Sequence, residues 1–353
     1  MKSKRWTISV AGAFLLLLCL TAAAVLVVDP YFHYHKPLKG MAYEMEDVEY
    51  ANDGIARNFD YDTVIIGTST TWGFSIDKAN ELFDVDSIRL TFPGEGFKRT
   101  NEGLQAAINT HPDLKTVFRG VDTLLFITDE EHQGYDVYPE YLYDDDIWND
   151  VYYLFNGDVL CNKVFLEVVR SLKQEEARDF DSYNGEYATG NREAVIEAYE
   201  RPDKEEGTVK DDETEQMFQT LNKNLEYNVI DTIEANPDIT FYIFFPPYSI
   251  LWWDELNQHG RDVLERRIEM EKIAIEKLIT YENVRLFSFN TNEELVCDLD
   301  HYTDDVHYTA DINTQMLEWM KDGEYELTED NYMEYLNRIT EFYCNYDYDN
   351  LFQ

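Results

Sequence analysis

Basic residues are scarce in this chain. Its 353 residues hold 29 Lys and Arg against 71 Asp and Glu, a formal net charge of −42. A surface this acidic repels nucleic acid, free polyanions and anionic lipid head groups, so neutral or cationic partners suit it and nucleic acid is not expected as one. Cysteine is sparse too. Of the four present, Cys19 lies in an apolar N-terminal run, leaving Cys161, Cys297 and Cys344 far apart in sequence. One disulfide with a free thiol fits that odd number, as does none, and no CxxC or Cys/His spacing marks a zinc site. His33 and His35 stand two apart with no third ligand nearby. The acidic runs 143-YDDDIWND and 211-DDETE lack the spaced ligands of a calcium loop and read as solvated faces. No internal repeat is visible, and no metal or cofactor is expected.

What the chain does have is apolar material: 44% hydrophobic residues, with 26 Tyr and 20 Phe, enough for a packed core and against large-scale disorder. One long run stands out. Lys2, Lys4 and Arg5 precede 23 uncharged residues from Trp6 to Val28. About 20 apolar residues cross a bilayer as a helix, whereas the apolar part of a cleaved signal is only about 7–15 residues long. The run reads as a single-pass signal anchor, with residues 1–5 cytoplasmic, 6–28 in the membrane and everything after Asp29 outside. Ala22-Ala23-Ala24 leaves cleavage as the alternative. Without the anchor, 26 basic residues face the same 71 acidic ones.

Residues 29–57 read as a juxtamembrane linker. From Tyr61 the pattern becomes strand, turn and helix, repeated. Runs at 63-TVIIG, 87-SIRLTF, 122-DTLLFIT, 239-ITFYIFF and 284-VRLFSF have strand length and composition. Helical segments lie between them: 98-KRTNEGLQAAINTH, residues 150–173, and 258-QHGRDVLERRIEMEKIAIEKLITY. Alternation of this kind predicts an α/β domain over 58–323, a doubly wound, flavodoxin-like parallel sheet of five strands. Residues 174–225 break the rhythm and read as an inserted, partly helical excursion. Residues 324–353 read as a C-terminal helical extension.

In such sheets functional groups gather beyond the carboxyl ends of the strands. The first strand ends at Ile66-Gly67, and 68-TST follows. Glycine supplies the tight turn that exposes a nucleophilic serine, although an ordinary strand-to-helix turn has the same composition. A serine needs a base. His111 ends a helix, His132 sits in a loop, His259 begins a helix, and His301 and His307 lie in 298-DLDHYTDDVHYTADIN after the last strand. Asp304, three residues before His307, can hold one imidazole nitrogen and leave the other for Ser69. Taken alone, that Asp and His could equally cap the following helix.

Together the two segments resemble the SGNH (GDSL-like) hydrolase superfamily over roughly residues 51–323. Gly67-Thr68-Ser69 is similar to its Gly-Asp-Ser block, with Thr for Asp, and 304-DDVH to its closing Asp-x-x-His block. A closer resemblance is to the membrane-anchored bacterial branch associated with cell-surface polysaccharides, carried by 57-RNFDYDTVIIGTST, 244-FFPPYS and 299-LDHYTDDVHYT. The resemblance implies Ser69 as nucleophile, His307 as base and Asp304 as its orienting group, with Asp305 as the alternative. It implies oxyanion donors at Ser69 and at Gly94 or Gly96 in 92-FPGEGFKR. The family places Gly-x-Asn-Asp after strand three. Here 127-ITDEEHQG follows the third apolar run, so Asp129 or Glu130 would stand near the missing Asn donor, and an ionised carboxylate cannot donate. Thr68, Asp129, Tyr248 and Trp252 are candidate substrate contacts. Tyr248, Trp252 and Trp253 form either a sugar-stacking wall or core packing, and Arg57 either pairs with a site carboxylate or is an ordinary surface residue.

The function these resemblances imply is a cofactor-free serine esterase at the bacterial cell membrane. Its domain would be extracytoplasmic, removing O-acyl groups, O-acetyl first among them, from cell-envelope or exported polysaccharide. An acyltransferase beside envelope acylation or polysaccharide-export machinery, and a non-catalytic envelope binding protein, are the alternatives.

Overall fold

The run 63-TVIIG forms the strand β1 (Thr63–Gly67), and its Val64, Ile65 and Ile66 are wholly buried. An uninterrupted apolar strand is what a parallel strand covered on both faces requires. In the computed structural model, which describes residues 2–135, 138–182, 189–205 and 211–352, β1 lies between β2 (Ser87–Thr91) and β3 (Thr116–Gly120). β4 (Thr240–Phe245), β5 (Val284–Ser288) and β6 (Glu326–Leu327) complete the order β2-β1-β3-β4-β5-β6. The first five strands are parallel, and β6 is antiparallel to β5. The sheet therefore has six strands, not the expected five; the sixth is a two-residue edge piece from the C-terminal region.

The larger correction is β3. The run 122-DTLLFIT is not a strand: Thr123–Ile127 is a 3-10 turn, and the strand is the preceding 116-TVFRG. Arg119 hides it in the sequence. Its side chain is buried and donates to the carbonyl of Asn228 at 2.6 Å, so a charged residue stands in the middle of a core strand.

The chain divides into two compact units, Met1–Asp60 with Val137–Asp179, and Tyr61–Asp136 with Phe180–Gln353. The sheet belongs to the second. There the helix Ile76–Phe83 starts at Ser75, whose Oγ accepts from the amide of Lys78, and ends at Asp84 in the left-handed region. Serine at that position satisfies one of the four amides left unpaired at a helix start. The long C-terminal helices include Arg261–Leu278 and Tyr332–Asn345.

In the first unit one helix, α1 (Lys2–Val28), is long and apolar enough to cross a membrane. It ends at Asp29, a buried residue with positive φ whose carboxylate accepts from the amides of His33, Tyr34 and His35 and from the Tyr153 hydroxyl. Residues 29–57, expected as a linker, instead bury Tyr31, Phe32 and Tyr43 and carry the helix α2 (Val48–Asn58). Gly54 in α2 is required by close approach: a Cβ there would stand 2.3 Å from the Tyr31 carbonyl oxygen. Residues 150–173, expected as one helical connection of the sheet domain, also lie in this unit, as short helices Val151–Leu154 and Phe165–Leu172 around a π-helical turn, Val159–Val164. His33 faces Asp150, while both ring nitrogens of His35 lie at backbone carbonyls, so the two do not converge. Arg57 pairs with Asp53 and Asp145, both in this unit. All four cysteines are unpaired.

Candidate active site

The sheet leaves a crevice where its winding reverses. From β1 the chain goes to β2 on one side and then to β3 on the other, so the residues after β1 and β3 meet over the carboxyl edge. After β1 come Thr68 and a tight turn, Ser69–Thr71. Gly67 and Gly120, side by side at the ends of β1 and β3, make room for that turn: a Cβ on Gly67 would fall 2.4 Å from the Thr71 methyl, and one on Gly120 3.0 Å. The turn is held from below by Thr71 Oγ1, which donates to the Thr68 carbonyl, and from the far end of the chain by Tyr308 and Asn313, which both donate to the Thr70 carbonyl.

Gly67→Ala is therefore expected to cost about 1–3 kcal/mol by overpacking. Thr71→Ser, which removes the methyl and keeps the hydroxyl, should recover most of it in urea unfolding. An equal loss in both backgrounds would contradict the packing account.

Across the crevice, 303-TDDVH folds back on itself, with the Thr303 amide bonded to the His307 carbonyl. Asp304 Oδ1 accepts from the amides of Val306 and His307, and Oδ2 accepts from His307 Nδ1 at 2.7 Å. Ser69 Oγ then donates to His307 Nε2 at 2.7 Å, 238 positions away in sequence. Among the described residues His307 meets a serine in this way, whereas His301 lies near Asp298 and Asp311, His259 near Glu205, and His111 stacks on Tyr61. These residues open onto a cavity of about 270 Å³, lined also by Thr68, Thr70, Gly94, Glu95, Asp122, Leu124, Leu125, Asp305 and Val306.

The surroundings of His307 favour its protonated form. Burial pulls the imidazole down, but the hydrogen bond and charge of Asp304, with Asp122 and Asp305 behind, outweigh it and hold the ring above its ordinary value. Burial pushes the Asp304 carboxyl up, yet its bonds and charge from His307 and the two amides leave it below the usual carboxylate range. Asp305 is held above that range by burial. Its carbonyl accepts from both the amide and the hydroxyl of Ser249, so its backbone is a strut of the loop.

Asp122 is the residue that the sequence reading missed. It stands two residues after the end of β3, is almost wholly buried, and accepts from Thr68 Oγ1 at 2.6 Å, Thr70 Oγ1 at 3.1 Å and Tyr248 OH at 2.9 Å. Burial holds its carboxyl above the usual range despite those three hydroxyls and the nearby His307. The correct end of β3 at Gly120 is the signal that finds it.

The remaining candidates separate. Gly94, with φ of +71°, is in the cavity wall, whereas Gly96 is the cap of the helix Phe97–Thr110 and sits under the His132 carbonyl. Asp129 is exposed, caps the amide of Glu131 and is not among the residues that line this cavity, and Glu130 pairs with Lys223. Tyr248 and Trp252 are buried against each other, with Trp253 stacked on Tyr343, so the proposed aromatic wall is core. The double proline and Tyr248 serve the site from beneath: the Pro247 carbonyl takes the Tyr302 hydroxyl, and Tyr248 holds Asp122. Among the described residues, no cluster of three or more Asp, Glu, His or Cys is arranged to hold a metal. No protein-family model matches the chain, and no curated protein matches it either.

Proposed function

We propose that this chain is a serine esterase of the SGNH type, anchored in a membrane by α1, that removes O-acyl groups from envelope or exported polysaccharide. The observation that carries the reading is the continuous hydrogen-bonded series from Ser69 through His307 to Asp304 at the switch point of a parallel sheet. A doubly wound sheet of five parallel strands, with β6 as an added edge, is the architecture this reading assigns. The family pattern after strand three then falls on 120-GVDT, with Asp122 in the place of Asn.

In the reaction, Ser69 Oγ attacks the ester carbonyl carbon while its proton passes to His307 Nε2. Asp304 stabilises the imidazolium through Nδ1. The tetrahedral oxyanion collapses, the sugar oxygen leaves with the proton from His307, and the acyl group stays on Ser69. Water, deprotonated by His307, attacks the acyl carbon, the bond to Ser69 Oγ breaks with return of the proton from His307 to Ser69, and the acid leaves; a second sugar hydroxyl in place of water would make the enzyme a transferase. The cavity wall carries Glu95, Asp122, Asp304 and Asp305 but neither Lys nor Arg, which suits an uncharged ester rather than a phosphate or carboxylate.

The test is a serine-directed fluorophosphonate probe on the folded full chain. Labelling of the wild type and its loss in Ser69→Ala is the expected result. A folded wild type that stays unlabelled would overturn the proposal in favour of a binding protein, the reading that Asp122 in the Asn position favours. Release of acetate against transfer to a sugar acceptor distinguishes hydrolysis from transfer.

A further inference from the structure

Among the described residues, thirteen large hydrophobic side chains outside α1 are exposed, and eight of them fall between residues 147 and 172. The most open are Trp148 at 82%, Leu172 at 79%, Ile147 at 72%, Tyr152 at 66% and Phe165 at 62%. Soluble surfaces scatter such residues singly; a concentration in 26 consecutive positions marks a surface that is covered in use.

The position of this segment along α1 indicates what covers it. α1 packs on the helix Val151–Leu154 and on the turn Val159–Val164. The side of α1 shielded from solvent is a single stripe, Leu18, Thr21, Ala22, Ala24, Val25 and Val28, confined to its last 11 residues. At about 1.5 Å per residue that stripe is about 16 Å long, about half the ~30 Å of a bilayer's hydrocarbon. If Trp6–Val28 spans the bilayer, the elements packed on the stripe stand within the outer half of it. The two cations of residues 147–172 turn inward, Lys163 to Asp47 and Arg170 to Glu44, and Glu167 is buried.

We infer that residues 147–172 form a second membrane contact, a monotopic wedge set into the outer leaflet beside α1. The inference rests on the reading of α1 as a membrane span. Asp144, Asp145 and Asp146 are exposed immediately before the wedge and Asp158 within it, so the surface fits uncharged or zwitterionic lipid and opposes anionic lipid. Aromatic residues such as Trp148 and Tyr152 suit the boundary between head groups and acyl chains.

The test uses the full chain with its four cysteines replaced by serine, carrying one environment-sensitive fluorophore and reconstituted in phosphatidylcholine vesicles. Labels go at Trp148→Cys and Phe165→Cys, with Leu16→Cys as the span control and Met333→Cys as the aqueous control; all four native side chains are exposed, so the fold is undisturbed. Positions 148 and 165 should be quenched by spin-labelled lipid. Iodide quenching there should be at least about fivefold weaker than at 333, because an anion does not enter hydrocarbon. Iodide quenching at 148 and 165 as strong as at 333, with position 16 still in lipid, overturns the wedge while leaving the anchor, and points to a protein partner for this face. Position 16 open to iodide overturns the anchor and the wedge with it.

Discussion

Ser69→Ala and His307→Ala are each expected to lower acyl-ester turnover by about 10⁴–10⁶-fold, and the double variant is expected to be no slower than either alone. The non-additivity follows from the geometry. On the proposed mechanism the oxygen that attacks and the nitrogen that takes its proton share one hydrogen bond, so removing either end would remove the whole step. Asp304→Asn should cost about 10⁴-fold, since an amide no longer fixes the tautomer or stabilises the imidazolium. The pH profile carries the same logic. The base must be neutral to accept the proton, and its folded environment holds it above the ordinary value of 6.5, so kcat/KM should fall as pH drops through a value above 6.5. Asp304→Asn removes the principal groups that raise it, and the residual activity should persist to lower pH. Multiplicative losses in the double variant, or a limb unmoved by Asp304→Asn, would dissolve the triad into independent contacts.

The second large effect is on stability. Asp122→Ala leaves three buried hydroxyls, on Thr68, Thr70 and Tyr248, without their common acceptor and should cost about 3 kcal/mol or more, because each orphaned polar group costs about 1–3 kcal/mol. A loss under about 1 kcal/mol in urea unfolding would mean the hydroxyls re-pair and Asp122 is not their hub. Asp122→Asn keeps an acceptor oxygen and should be far milder. It also isolates the pH dependence. The folded carboxyl titrates above its unfolded value of about 3.9, so its contribution is fully present below that pH and is lost as pH rises through the folded value. The amide has no such loss. Relative to wild type, Asp122→Asn should therefore gain stability as pH rises from about 4 upward.

The sequence disclosed the two ends of the site more readily than its middle. β1 and the loop at 304–307 are short and local: an apolar run into Gly67, and an Asp three residues before a His, each legible within a dozen residues. Their meeting depends on strand order, which only the fold supplies. β3 failed for a physical reason. Arg119 donates its guanidinium to a backbone carbonyl inside the core, a solution that hydropathy cannot anticipate, so the more apolar 123-TLLFI drew the strand to itself. With the strand displaced in this way, the third-donor position falls several residues downstream, at Asp129, and not at Asp122. The aromatic block at 244–253 was ambiguous between wall and core because composition does not say which face of a helix is covered; burial and the stacking of Trp253 on Tyr343 decide for core.

The first unit is assembled from two stretches of chain separated by the entire β1–β3 region. During synthesis α1 is made first, and the helix Val151–Leu154 that covers its stripe follows more than 120 residues later. At about 5–20 residues per second the wait is roughly 6–25 s. On the proposed topology, Leu18, Thr21, Ala22, Ala24, Val25 and Val28 face lipid for that interval and exchange it for protein once residues 151–164 arrive. The small side chains of Thr21 and Ala22 are compatible with both surroundings, which makes the order of manufacture itself a constraint on what this stripe can be.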